Sequence, residues 1–169
     1  MFKLLTAVLF LLVPMTGFAQ SPPLIRQAEE FVRTLNINVQ TINPRAFRFS
    51  NTLQGKTWVI FVIEREAVEQ LLIYSVFPQA IPAAQRQTAM EFITRANYGM
   101  SIGNFEMDLS DGEIRYKTSI DGQGMAMNRT ILNGLLQHNA STFFQYWEGL
   151  EGIRSGRLNA LQAIRLVEG

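Results

Sequence analysis

The stretch Gly103-Asn104-Phe105-Glu106-Met107-Asp108-Leu109-Ser110-Asp111-Gly112-Glu113-Ile114-Arg115-Tyr116-Lys117-Thr118 constrains the fold more than any other part of this chain. Asp-Gly is the strongest short signal for a two-residue hairpin loop, because a type I′ turn needs positive φ at both central residues. With Asp111 and Gly112 as that loop, Ser110 faces Glu113. Leu109 then opposes Ile114, Met107 opposes Tyr116 and Phe105 opposes Thr118, all on one apolar face. On the other face Asp108 opposes Arg115 and Glu106 opposes Lys117, two cross-strand pairs of opposite charge. A one-residue slip would carry charge onto the apolar face, so the alternation predicts this register.

Around the hairpin, the hydrophobic pattern predicts three more strands and several helices. Leu24, Ile25, Ala28, Phe31, Val32 and Leu35 form one helical face. Pro44 interrupts the segment after that helix, so the first strand is expected from about Arg45, with Phe47 and Phe49 alternating against Arg48 and Ser50. Asn51 to Gly55 is a turn. Trp58 to Ile63 is a continuous β-branched and aromatic run, the pattern of a strand covered on both faces. Leu71 to Phe77 is the third strand. Pro82 then opens a helix with Ala89, Phe92, Ile93 and Ala96 on one face. With the hairpin this makes five strands. After Gly122 and Gly124 the chain turns helical: Ile131, Leu132, Leu135 and Leu136 form a stripe, and Asn139 or Ser141 is placed to break and recap it. Phe143, Phe144, Trp147, Leu150 and Ile153 continue the stripe, Ser155-Gly156 is a stop, and Leu158 to Val167 has the pattern of a last short helix. The expected architecture is α+β: a five-stranded antiparallel sheet with packed helices in the order α-β-β-β-α-β-β-α.

Lys3, the apolar stretch Leu4 to Val13 and Gly17-Phe18-Ala19 have the form of a secretory signal peptide cleaved after Ala19. The apolar stretch is half the length of the roughly 20 residues that span a bilayer. The chain divides into residues 1–19 as signal peptide, 20–154 as the α+β domain and 155–169 as a C-terminal helical extension. Export to the periplasm or the outside of the cell is expected, with no membrane partner after cleavage. The chain has no cysteine, which excludes disulfides, thiolate metal sites and lipid attachment through an N-terminal cysteine. Lys3 is one of 15 basic residues against 14 acidic, so cleavage leaves the signs balanced. No basic stripe suited to nucleic acid is present.

Asn97, Gly103-Asn104-Phe105-Glu106 and Asp108, followed by Asp111-Gly112-Glu113 and Tyr116, together with the element order, resemble the YbjN family of bacterial sensory-transduction regulators. The stretch Ile131 to Ile153 is similar to that family's closing helix, and the resemblance extends over Leu24 to Ile153. It implies a fold like that of type III secretion chaperones, which are commonly dimeric and bind protein segments rather than catalyse. The export signal departs from many relatives, so a cytoplasmic regulatory role is not carried over. The tail after Ser155 has no counterpart.

Few residues are suited to chemistry. Glu106, Asp108, Asp111 and Glu113 make an acidic cluster, but two of them face cations and Asp111 serves turn geometry. His138, the single histidine, cannot form a common zinc site without further ligands. Gly99-Met100-Ser101-Ile102-Gly103 matches Gly-x-Ser-x-Gly literally, but it follows a helix and precedes a strand, the reverse of a nucleophile elbow. The glycine pairs Gly99/Gly103 and Gly122/Gly124 lack the context of a phosphate loop. Asn128-Arg129-Thr130 and Asn139-Ala140-Ser141 fit the glycosylation pattern by chance in a bacterial-looking chain. No metal and no cofactor is expected. The expected function is an exported non-catalytic protein-binding domain, chaperone-like or adaptor and regulatory; the alternative is a small serine hydrolase using Ser101 and His138. Residues alternate along a strand, so Trp58, Ile60 and Val62 lie on one side and Val59, Phe61 and Ile63 on the other. That second side needs cover from the C-terminal helices or from a second subunit, and a homodimer with isologous contacts is the expectation.

Overall fold

The computed structural model describes residues 23–122 and 127–169; the signal-peptide segment and Gly124 lie outside them. Helix α1 (Leu24–Thr34) starts after Pro23 and buries Leu24, Ile25, Ala28, Phe31 and Val32, while Leu35 caps its end and stays exposed. The strands are β1 (Gln40–Asn43), β2 (Ala46–Leu53), β3 (Lys56–Arg65), β4 (Gln70–Val76), β5 (Asn104–Met107) and β6 (Ile114–Asp121), with α2 (Arg86–Gly99) between β4 and β5. Helices α3 (Arg129–Gln145), α4 (Trp147–Arg154) and α5 (Ala160–Glu168) complete the chain order. The fold is α+β, with helices packed on an antiparallel sheet. None of the described helices is long and apolar enough to cross a membrane.

The sheet has six strands among the described residues rather than five, in the order β1-β2-β3-β4-β6-β5, every neighbour antiparallel. The extra strand, β1, ends in a tight turn at Pro44-Arg45, where the Asn43 side chain accepts a hydrogen bond from the Arg45 amide at 2.8 Å. It is exposed along its length, so it carries no apolar alternation to mark it as a strand. The type I′ loop of this protein is Gln54-Gly55, with φ of 48° and 79°, which lets β2 and β3 pair up to Leu53 opposite Lys56.

The β5–β6 hairpin departs from the expected register by two residues. Met107 opposes Ile114, Phe105 opposes Tyr116, Glu106 opposes Arg115 and Asn104 opposes Lys117. The loop is four residues long, Leu109 to Gly112: the Asp108 amide donates to the Glu113 carbonyl at 2.9 Å, and the Gly112 amide returns to the Asp108 carbonyl at 2.8 Å. Asp108 accepts from both the amide and the hydroxyl of Ser110, and Asp111 accepts from the Glu113 amide, so both acids serve the loop. Contacts outside the hairpin hold this longer loop. Arg86 donates to the Leu109 and Ser110 carbonyls, and the Ile81 amide donates to the Gly112 carbonyl at 2.9 Å. A two-residue slip leaves the in–out alternation intact, so hydrophobic pattern alone cannot separate the two registers.

The helices lie on one side of the sheet. Trp58 stacks among Phe143, Phe144 and Trp147, with ring centroids 5.4, 6.4 and 5.9 Å away. The α1 end is tied to the same side by a hydrogen bond from the Leu24 amide to Glu64, and Phe92 of α2 meets Tyr146, which in turn packs on Phe105. Lys56, at the start of β3, reaches across to Glu148 and sits 5.3 Å from the Trp147 ring centroid. Helix α3 runs unbroken through Asn139 and Ser141; the break comes at Tyr146.

Candidate functional site

The side of the sheet away from the helices presents a patch built by strand register. Val59 opposes Val76, Phe61 opposes Tyr74 and Ile63 opposes Leu72, so three apolar pairs lie side by side on β3 and β4. Leu72 and Tyr74 are buried, while Val59, Phe61, Ile63 and Val76 are only partly buried, where a strand covered on both faces would bury them fully. β3 is therefore buried on the Trp58, Ile60 and Val62 side alone. Phe143 and Trp147, the aromatic residues of the C-terminal helices, pack on Trp58, so they do not cover Val59, Phe61 and Ile63.

Charged and polar residues border the patch. Arg48 opposes Phe61 on β2 and is held by Gln40 at 2.8 Å. Lys117 opposes Tyr74, and the Arg115 guanidinium lies 4.4 Å from the centre of the Tyr74 ring, a cation–π contact that helps bury the ring. Glu106 takes both cations of β6: Arg115 Nε reaches it at 2.9 Å, and Lys117 binds its other oxygen. Partial burial would raise the Glu106 carboxyl, but the hydrogen bonds from Lys117 and Arg115 outweigh it and hold the group below its ordinary value.

Of the two expected pairs, Glu106 does bind Lys117, although across the strands it opposes Arg115. Asp108 does not face Arg115, and Lys117 shares its glutamate. Glu106, Asp108 and Glu113 line a hollow of about 500 Å³ with Met107, Leu109 and Arg115. Each of its carboxylates has a structural partner, Glu113 lying 3.9 Å from Arg115. No group of three or more possible metal ligands occurs among the described residues.

Ser101 and His138 come into the same neighbourhood without forming a catalytic pair. His138 Nε2 lies 3.4 Å from the carbonyl of Ile102, the residue after Ser101, and 3.4 Å from the Tyr116 hydroxyl. Tyr116 donates to that carbonyl at 2.6 Å. Among the described residues no hydrogen bond joins Ser101 to His138, and no carboxylate pairs with the imidazole, so the orienting third group of a triad is missing.

A buried polar network escaped the reading of sequence pattern. Trp58 Nε1 donates to Ser75 Oγ at 2.9 Å, and Ser75 donates to Asn139 Oδ1 at 2.7 Å. The Asn139 amide group donates to the Ile73 and Tyr116 carbonyls and to Thr118 Oγ1. Asn139 has no exposed surface, which closes it to glycosylation, and Asn128 is the N-cap of α3. A usable signal was present: Asn139 sits at helical spacing between Leu132 and Phe143, and Ser75 interrupts an apolar strand.

Comparison with known proteins agrees with the resemblance carried by the hairpin residues. The model of the YbjN family, described as "Putative bacterial sensory transduction regulator", matches residues 29–147, which include the whole sheet. No curated protein matches the chain. One solved chain, from the "Structure of the HopA1-SchA Chaperone-Effector Complex", is similar at 14% identity and a TM-score of 0.45, over 77% of this chain and 89% of that one.

Proposed function

The chain belongs to the YbjN family, and from that premise we propose that it is an exported, non-catalytic protein-binding domain that uses the open side of its sheet. One observation carries the reading: the helices, including the aromatic C-terminal pair, pack on the Trp58 side and leave Val59, Phe61, Ile63 and Val76 only partly buried beside one another. Apolar patches of this kind usually mark interaction sites. The role is chaperone-like or adaptor-like, with a protein segment as ligand. Isologous pairing of two copies through this surface supplies the cover that the helices do not.

Light scattering on the purified chain from Gln20 onward tests the pairing. A dimer mass at micromolar concentration is the expected result, and a monomer mass there would end the homodimer reading. Ser101→Ala and His138→Ala variants test the absence of catalysis. Both should fold and keep the wild-type self-association; loss of function in both with folding intact would favour a hydrolase.

A further inference from the structure

The two edges of the sheet are closed by different means. β1 is four residues long, shifts register between Thr41 and Asn43 and runs at once into the Pro44-Arg45 turn. A short, bulged strand is a poor template for another strand. β5 pairs regularly from Asn104 to Met107 and ends the sheet on the other side among the described residues. The hairpin fixes which way its backbone groups point. The Asp108 amide bonds the Glu113 carbonyl, so Glu106 and Asn104 turn their amides and carbonyls toward β6 as well. Phe105 then turns its own amide and carbonyl away from β6, toward the edge. Its ring is buried against Tyr116 and Tyr146, which holds that orientation. A donor and an acceptor presented side by side at a strand edge are a template for pairing with another chain.

Asn97, in the last turn of α2, fills that place. Its Oδ1 accepts from the Phe105 amide at 2.7 Å, and its Nδ2 donates to the Phe105 carbonyl at 3.0 Å. A carboxamide carries the same carbonyl and N–H as a peptide group. Two bonds to one residue are the exchange that the opposing residue of an antiparallel strand would make. Asn97 is only partly buried, so these bonds lie near the surface, where an incoming strand would have to enter.

We infer that Asn97 is an edge guard: its side chain takes the place of a further strand and keeps β5 from pairing with the β5 edge of a second copy. The inference concerns the edge of the sheet and does not rest on the sheet-face reading.

Two measurements test it. The first needs no substitution. In the wild-type chain the Phe105 amide, which no strand bonds, should resist hydrogen exchange to within about tenfold of the Glu106 amide, which β6 bonds. Exchange at the rate of an exposed loop amide would overturn the inference. The second compares Asn97→Ala with wild type by light scattering over a concentration series, once circular dichroism has established that the variant is folded. The mass of the variant should rise to roughly double that of wild type, whatever mass the wild type has, because edge pairing of two copies is isologous. Adding Met107→Pro removes a donor from the same edge without touching a bond to β6, and the double variant should return to the wild-type mass. Equal association of the single and double variants would assign the assembly to unfolding and overturn the inference. A folded Asn97→Ala chain that keeps the wild-type mass would overturn it too.

Discussion

Asn139 is one polar side chain that positions a whole helix. Its carboxamide meets Ser75, Thr118 and two backbone carbonyls of the sheet, so α3 has one rotation and one height over β4 and β6 in which every group is satisfied. Among the described residues no buried side-chain polar atom lacks a partner. Asn139→Leu keeps the branched outline but is bulkier, and it removes the partner that Ser75 donates to and that Thr118 accepts from, so unfolding in urea should show a loss of about 2–4 kcal/mol. A variant as stable as wild type would mean that packing alone positions α3. Glu106 gives a prediction in pH. Its carboxyl is held below the ordinary value of 4.5 by Lys117 and Arg115 after burial has pushed the other way, so the folded state binds fewer protons than the unfolded one. Its stabilisation is therefore present above that value and is lost as pH falls below it. Glu106→Gln should flatten the acid limb of the stability–pH curve, and an unchanged slope would show that the two cations do not hold the carboxylate in solution.

At the scale of the element, the β5–β6 hairpin shows where local pattern stops deciding. Alternation assigned Phe105, Ile114 and Tyr116 to the interior correctly, and all three are buried. It could not choose between registers two residues apart, and the choice fell to Arg86 and Ile81, which bind three carbonyls that only a four-residue loop presents. Gly112 is the hinge of that loop: its φ is 88°, and a Cβ there would come within 2.2 Å of the Ile81 carbonyl oxygen. Gly112→Ala combines left-handed strain with a backbone clash, and a loss of about 2–4 kcal/mol in thermal or urea unfolding is expected. A neutral result would mean that the loop detaches from Ile81 in solution. The missed strand β1 has a different cause, since an edge strand with no buried side chain leaves no hydrophobic period to read.

For the whole molecule, the outcome that matters is the one-sided sheet. Phe61→Glu places a charge in the centre of the open patch, beside Tyr74 and Arg48, without touching the Trp58 side. It should convert a dimer to a monomer in light scattering while the domain stays folded with a single melting transition, because the side chain lies outside the buried core in the single chain. A dimer that survives the change would place the contact elsewhere. The sequence by itself determined the α+β class, the helical faces, which residues of the apolar strands share a side, and the family, because these follow from the periods of 3.6 and 2 and from local turn chemistry. It also separated Val59, Phe61 and Ile63 from Trp58, Ile60 and Val62. Only the tertiary structure decided which of those two sides the helices cover, which of two equivalent registers the hairpin takes, and that Asn139 and Ser75 meet inside. Those outcomes depend on contacts between residues distant along the chain, such as Trp58 with Phe143 and Arg86 with Leu109, for which local periodicity carries no information.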